Sequence, residues 1–218
     1  MTLLTARDAY PRWAATYEAE TVVSRLEDLI LAELGIETAG LRLLDVGCGT
    51  GRRMRASAAS CAVGIDLSIE MLQGGDGGLM LVSDARMLPL RTESFDVVWC
   101  RLMIGHLATV GAALREMARV CVDTGSVVLT DIAPAAYSAG HRRTFRASND
   151  ELIEIEHHMH DADEIVDAAH DAGLRLSTFR VGVVGDRVRP FYERANALQR
   201  FEQQRGDELV HAMVFTKS

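Results

Sequence analysis

Apolar residues follow two rhythms along this chain. Short, nearly continuous apolar runs occur at LRLLDV (41–46), CAVGIDLS (61–68), LMLVS (79–83), ESFDVVWC (93–100) and SVVLTDI (126–132). Runs of this length bounded by turn residues read as buried strands. Between them the spacing changes to three and four. VVSRLEDLILAEL places Val22, Leu26, Leu29, Ile30 and Leu34 on one stripe and stops at Gly35. VGAALREMARVCVDTG (110–125) does the same with Ala113, Leu114, Met117, Val120 and Cys121, followed by a turn at Asp123-Thr124-Gly125. ADEIVDAAHDAG aligns Ile165, Val166, Ala169 and Ala172 before Gly173, with Asp161 or Asp163 as its cap. These read as amphipathic helices. Residues 5–34 are expected to be helical, with Pro11 near a helix start.

After Gly173, LRLSTFRVGVV reads as a strand, 190–205 as a polar helical stretch, and DELVHAMVFTKS as the last strand. Strands alternating with helices predict an α/β, doubly wound, Rossmann-like fold. Its seven-stranded sheet should be mostly parallel, with DELVHAMVFTKS antiparallel at the edge. No repeat or long linker is visible, so residues 1–218 are expected to form one domain, with 1–36 as a helical cap and 133–160 as an insertion. QGGDGG (73–78) is expected to replace the usual helix end and turn before the third strand.

The first strand runs straight into glycines. In LRLLDVGCGTG, Asp45 is followed by Gly47, Gly49 and Gly51, and a helix is expected from about Thr50. Strand, glycine turn and helix N-terminus together make a ligand cradle. A dinucleotide fingerprint would be spaced GxGxxG; here the spacing is GxGxG with an acidic residue two places before it.

This stretch resembles motif (D/E)xGxGxG of class I S-adenosylmethionine-dependent methyltransferases. Three further segments follow in the family's order. Gly64, Asp66, Ser68, Met71 and Leu72 match "G.D.S..ML"; Asp84 and Ala85 match "DA..LP"; Phe95 and Asp96 match "FD.V". AYPRWAATYE is similar to the "fD..A..YD" start of small-molecule members such as the ubiquinone and menaquinone biosynthesis enzymes, with Tyr17 at the matching tyrosine. The resemblance implies S-adenosylmethionine as cofactor. It assigns the ribose hydroxyls to Asp66 and the adenine to Asp84 and Ala85, and leaves the amino-acid tail to the glycine loop. Cofactor contacts are expected from Tyr17, Asp45, Gly47, Cys48, Gly49, Asp66, Leu67, Met71, Asp84, Ala85, Arg86 and Cys100. Asp66 and Asp84 could also be plain helix or turn caps, although Ser68 is the better cap.

The acceptor is less legible. At the end of the fourth strand, Cys100-Arg101-Leu102-Met103 replaces the (N/D)PP(Y/F) tetrad of amino-group methyltransferases, which points to a small-molecule acceptor, anionic or aromatic. His106 falls where many small-molecule members carry a His-Leu pair. It is a candidate base together with His141 and His158, and a structural histidine is the competing reading. Tyr10, Trp13 and Tyr17 either close over the cleft or pack in the core. The arginines of HRRTFR (141–146) either bind an anion on the acceptor or solvate the loop. The run His157-His158-Met159-His160 suggests metal ligands, but no HxxxH spacing exists and methyl transfer needs no metal, so none is assigned.

Composition narrows the classes. The formal net charge is −8, which disfavours a nucleic-acid partner. No apolar run is long enough for a membrane span and no signal peptide is visible. The four cysteines are scattered, as in a reduced cytoplasmic protein. Two function classes stay open: a methyltransferase, and a cofactor-binding regulatory or scaffold protein without methyl transfer. A nicotinamide oxidoreductase is a distant third.

Overall fold

The computed structural model describes residues 2–75 and 77–217, with the backbone alone of Ala15. The chain opens with strand β1 (Thr2–Leu4), helix α1 (Ala6–Trp13), a 3-10 turn (Ala14–Thr16) and helix α2 (Val22–Leu34). The expected helical 5–34 is therefore broken at 17–21. Thr21 restarts it with a reciprocal capping box to Ser24, and Gly35 ends it at a φ of 60°.

Strand β2 (Arg42–Val46), helix α3 (Arg52–Arg55), strand β3 (Cys61–Asp66), helix α4 (Ile69–Gln73) and strand β4 (Leu79–Val82) follow. Within the expected 73–78 turn, Asp76 lies outside the described residues. Next come strand β5 (Phe95–Arg101), helix α5 (Gly111–Val120), strand β6 (Cys121–Ile132) and helix α6 (Pro134–Ser138). The turn expected at 123–125 lies inside β6: Phe95 pairs with Cys121 and Val97 with Ser126, so the intervening residues bulge from a continuing ladder. The chain ends with strands β7 (Thr144–Arg146) and β8 (Leu152–Ile155), helix α7 (Ala162–Asp171), strand β9 (Leu174–Val183), helices α8 (Arg189–Arg194) and α9 (Leu198–Gln204), and strand β10 (Glu208–Lys217).

The main sheet has seven strands in the order β4-β3-β2-β5-β6-β10-β9. It is parallel from β4 to β6. The expected antiparallel strand is present on the far side, and the pairing sharpens its place. β10 runs antiparallel to both β6 and β9, one strand in, and β9 is outermost.

Alternation along the strands feeds two cores. On one face Leu44, Val46, Val98 and Leu129 meet Leu114 and Met117 of α5 and Ile165 of α7. On the other, Leu43, Val97 and Val128 meet Met54 of α3, while Leu26 and Ile30 of α2 meet Val210 and Ala212.

A second, three-stranded sheet in the order β1-β8-β7 joins the first residues of the chain to the insertion after β6. Thr2–Leu4 pair in parallel with Ile153–Ile155, and β7 closes an antiparallel hairpin on β8. Its core is Ala9, Phe145, Ile153 and Ile155. The sequence gives no local sign of β1, because three residues carry no period and their partner lies far along the chain.

Candidate functional site

The strand order reverses at β2: β3 and β4 lie on one side and β5 on the other. Ligands of open α/β sheets bind beyond the carboxyl ends of the strands at such a reversal. The glycine turn leaves β2 there. Gly47 and Cys48 donate their N–H groups to Ile65 O at 2.7 and 3.0 Å, tying the turn to β3. Gly47 and Gly49 have φ of 75° and 59°, which L side chains rarely adopt. A Cβ on Gly47 would fall 2.3 Å from Met103 Cγ, and one on Gly49 would fall 3.1 Å from Met71 Cε and 3.2 Å from Tyr17 Cε1. Gly49→Ala is thus expected to keep the fold and weaken cofactor binding about tenfold, through roughly 1–2 kcal/mol of backbone strain and a methyl group intruding beside Tyr17. Calorimetry checks it; unchanged affinity would mean that the loop is not the cradle.

Above the turn lies a cavity of about 550 Å³. Of the expected cofactor residues, Tyr17, Gly47, Gly49, Asp66, Leu67, Asp84, Ala85 and Arg86 line it. Asp66 ends β3; its Oδ2 accepts Gly49 N–H at 2.8 Å and its Oδ1 accepts Ser68 N–H at 2.9 Å. Burial raises its pKa, and these N–H groups oppose the rise. Asp84 is held below the usual carboxylate range by Arg86, whose Nη2 lies 2.6 Å from Oδ2.

Four expected residues stand behind the wall instead of in it. Asp45 is buried, and that burial pushes its pKa up to about 6 despite Arg101 and Arg53. The Cys48 sulfur packs towards Gly64, where a Cβ would fall 2.7 Å from it. Met71 lies under Gly49, and Cys100 is fully buried in the core. None of these four lines the cavity.

The aromatic trio divides. Tyr10 and Tyr17 line the cavity. Trp13 stacks on Phe145, centroids 4.8 Å apart, and so belongs to the small sheet's core. Tyr10 Oη lies 2.8 Å from His106 Nε2, and Arg143 Nη2 donates to the same oxygen at 3.2 Å. Burial holds the His106 pKa well below its ordinary value, helped by Arg143 and His157, so the ring is neutral. His106 and His158 line the cavity. His141 is not brought there: it faces Asp207, Nε2 to Oδ2 3.8 Å, because the chain turns after α6 before entering β7.

The histidine run is dispersed. His157 lies 3.5 Å from Asp131, His158 lines the cavity, and His160 bonds to Leu107 O at 2.8 Å and Glu164 at 3.1 Å. β8 ends at Ile155, so His158 and His160 do not share a strand face. Among the described residues no three His, Cys, Asp or Glu side chains gather as a metal site would need.

A family model described as a methyltransferase domain matches residues 44–129, which span the glycine turn, Asp66, Asp84 and the end of β5. Over these residues the chain is similar to class I S-adenosylmethionine-dependent methyltransferases. A 27-O-demethylrifamycin SV methyltransferase of Amycolatopsis mediterranei is 28% identical over 91% of this chain and 75% of its own length. A malonyl-[acyl-carrier protein] O-methyltransferase of Geobacter sulfurreducens is 35% identical over 55% of this chain. The chain spans about half the length of the latter (49%). A crystal structure of an S-adenosylmethionine-dependent methyltransferase from Mesorhizobium loti shares the fold, with TM-score 0.67 at 19% identity, covering 89% of this chain and all but 1% of its own (99%).

The family's cofactor is S-adenosylmethionine, and the residues fit it. A Cβ on Gly49 would crowd the cradle beside Tyr17, leaving main chain for the amino-acid tail. Asp66 presents a carboxylate at the cavity wall, and Ala85 lies beside Asp84 on the same wall.

Sequence reasoning missed one part of this site. Glu27 of α2 is fully buried and accepts from Arg101 Nε at 3.0 Å and Thr130 Oγ1 at 2.5 Å, with Arg53 Nη2 at 2.5 Å. Arg101 also pairs with Asp28 at 2.5 Å and lines the cavity. The available signal was Glu27 itself, an acidic residue one place after Leu26 and three before Ile30, on the apolar stripe of its helix.

Proposed function

We propose that this protein transfers a methyl group from S-adenosylmethionine to a small-molecule acceptor. The observation carrying the reading is the continuous cavity that joins Gly47, Gly49, Asp66 and Asp84 on one side to Tyr10, His106 and His158 on the other. When bound, the cofactor supplies a methyl group already made electrophilic by its sulfonium. The chain's task is then to align a nucleophile and to exclude water. Tyr10 and Tyr17 would close the cleft, their ring faces favouring the sulfonium. We read residues 1–36 as the cap and 133–160 as the acceptor-side insertion of one domain. The four free thiols suit a reducing, cytoplasmic setting. No helix among the described residues is long and apolar enough to cross a membrane.

A base is needed only where the acceptor must lose a proton. We assign that role to His106, neutral and on the cavity wall, with Tyr10 Oη on its Nε2 as the relay to the acceptor, in preference to His158. A base works in its deprotonated form. With the pKa depressed, that form persists as pH falls through 6.5, the ordinary value for histidine. Turnover is therefore expected to stay level from about pH 8 to about pH 6. His106→Gln should lower kcat at least about tenfold with cofactor affinity within about twofold. A rate that falls off around pH 6.5 with His106 intact, or an unchanged kcat in the variant, would remove His106 from this role.

The test of the reading as a whole is S-adenosylhomocysteine release across a metabolite panel. Release with at least one small acceptor is the expected result. Tight cofactor binding with no release would favour a cofactor-binding scaffold protein.

A further inference from the structure

Among the described residues the histidines after β8 gather on no metal site, yet all three meet one short stretch of chain. That stretch is the 3-10 turn Ile104–His106 with the residue after it. β8 ends at Ile155, and the next five residues run along this turn. Glu156 donates its N–H to Leu4 O at 2.7 Å, which ties the segment to the strand leading into α1. The enclosed His157 ring packs on Gly105, where a Cβ would fall 2.2 Å from its Cε1, and its Nε2 faces Asp131 at 3.5 Å. His158 donates its main-chain N–H to Gly105 O at 2.7 Å. His160 Nε2 lies 2.8 Å from Leu107 O; a carbonyl only accepts, so Nε2 carries a proton. Glu164 holds the other nitrogen of that ring at 3.1 Å. Asp131 secures the turn from β6, accepting Gly105 N–H at 2.5 Å. The residues before and after His106 are thus both fixed by one segment of the insertion.

Resting on the methyltransferase reading with His106 as its base, we propose that residues 156–160 set the Tyr10–His106 pair, with His157 and His160 as positioning residues. The pair stands 2.8 Å apart, Oη to Nε2, although its members lie 96 residues apart in the chain. Tyr10 comes from α1 and His106 from the turn after β5. No shared ladder joins these parts, because β1 belongs to the small sheet and β5 to the main one. The segment bridges them, held to Leu4 at one end and to Leu107 at the other. It works on the main chain at 105 and 107, which leaves the His106 side chain free to take a proton. An imidazole suits both tasks. It is flat enough to lie against the Cα of Gly105, and its N–H reaches a main-chain carbonyl. Burying two such rings costs desolvation that apolar side chains would avoid. The return is geometric: a misplacement of about 1 Å can cost about a hundredfold in rate.

The test uses the full chain and two readouts. The first needs no ligand: NMR titration of the His106 imidazole, assigned by its loss in His106→Gln. Burial holds the wild-type ring well below 6.5, and in His157→Ala, which opens one wall, it should titrate nearer to 6.5. Tyr10, Arg143 and His158 face the ring in both proteins. The second readout is kcat with the acceptor that the metabolite panel yields. His157→Ala and His160→Ala should each lower kcat about tenfold, with S-adenosylhomocysteine affinity and acceptor KM within about twofold. His160→Gln places an amide N–H near the position of Nε2 and should restore kcat to within about threefold of wild type. In a His106→Gln background neither alanine change should lower kcat further, because both act through the ring already removed. A merely structural histidine behaves otherwise: its loss lowers Tm, cofactor affinity and kcat together and adds to His106→Gln. That pattern, a His106 titration unmoved in His157→Ala, no rescue by His160→Gln, or an unchanged kcat in His106→Gln would overturn the proposal. Absence of S-adenosylhomocysteine release by wild type with every acceptor would strike the methyltransferase reading itself; the NMR titration would still decide whether this segment holds His106.

Discussion

Asp66→Ala is expected to weaken S-adenosylmethionine binding at least about a hundredfold in calorimetry, with the fold retained. Two losses combine. In the proposed site the carboxylate receives the ribose diol, and hydrogen bonds to a charged acceptor contribute about 1.5–3 kcal/mol each. The same carboxylate braces the loop that holds the rest of the cofactor, through Gly49 N–H at 2.8 Å and Ser68 N–H at 2.9 Å. Removing it leaves both donors without their acceptor. Asp66→Asn keeps one carbonyl oxygen but turns an NH2 toward one of two N–H donors, so it should fall between wild type and alanine. Asp84→Ala should cost less, because Asp84 is more exposed and already paired with Arg86 at 2.6 Å. Burial raises the Asp66 pKa, so affinity should begin to decline with falling pH sooner than for an ordinary carboxylate. Equal effects at the two aspartates, or none at Asp66, would move the ribose elsewhere.

The glycine-turn side of the cavity was legible because its signals are local. A strand that ends in Asp45-Val46-Gly47 carries its period, its turn and its chemistry within a few residues, and parallel neighbours repeat the arrangement at Asp66 and Asp84. The acceptor side has no such economy. Its wall depends on Thr2–Leu4 pairing with Ile153–Ile155, a contact that nothing near either segment announces. That pairing fixes where α1 delivers Tyr10 and where the insertion delivers Arg143. The histidines show the same point. His157, His158 and His160 are sequence neighbours, yet one is buried against Asp131, one lines the cavity, and one ties Leu107 to the start of α7. His141 shares their composition and ends beside Asp207. Residue type suggested a candidate in each case, and only the topology decided which of them met the cavity.

Glu27→Gln is expected to be the most destabilising single change among these, by about 3–5 kcal/mol, or about 6–20 °C in Tm. Glu27 is fully buried, and its carboxylate answers Arg101 at 3.0 Å and Arg53 at 2.5 Å. Glutamine keeps the volume and loses the charge, leaving two arginines short of their shared counter-ion. Asp28, 3.6 Å from Arg53 and 2.5 Å from Arg101, remains but is partly solvated and cannot replace it. The pH dependence has a definite sign. Burial alone would raise the Glu27 pKa, yet Arg101, Arg53 and the Thr130 hydroxyl hold it below 4.5, the ordinary value for glutamate. A carboxylate depressed in the folded state contributes stability that is complete above its unfolded pKa and is lost as pH falls through the folded one. The Tm gap between wild type and Glu27→Gln should therefore be constant from about pH 8 to about pH 5 and narrow only in more acid solution. Adding Arg101→Met should recover part of the loss, because one orphaned cation goes with its partner. The recovered protein should still bind cofactor less well, since Arg101 lines the cavity and opposes the rise in the Asp45 pKa behind the glycine loop. A gap that widens toward low pH, or a double variant no more stable than Glu27→Gln, would show that α2 is held on the sheet by its apolar contacts with Val210 and Ala212 alone.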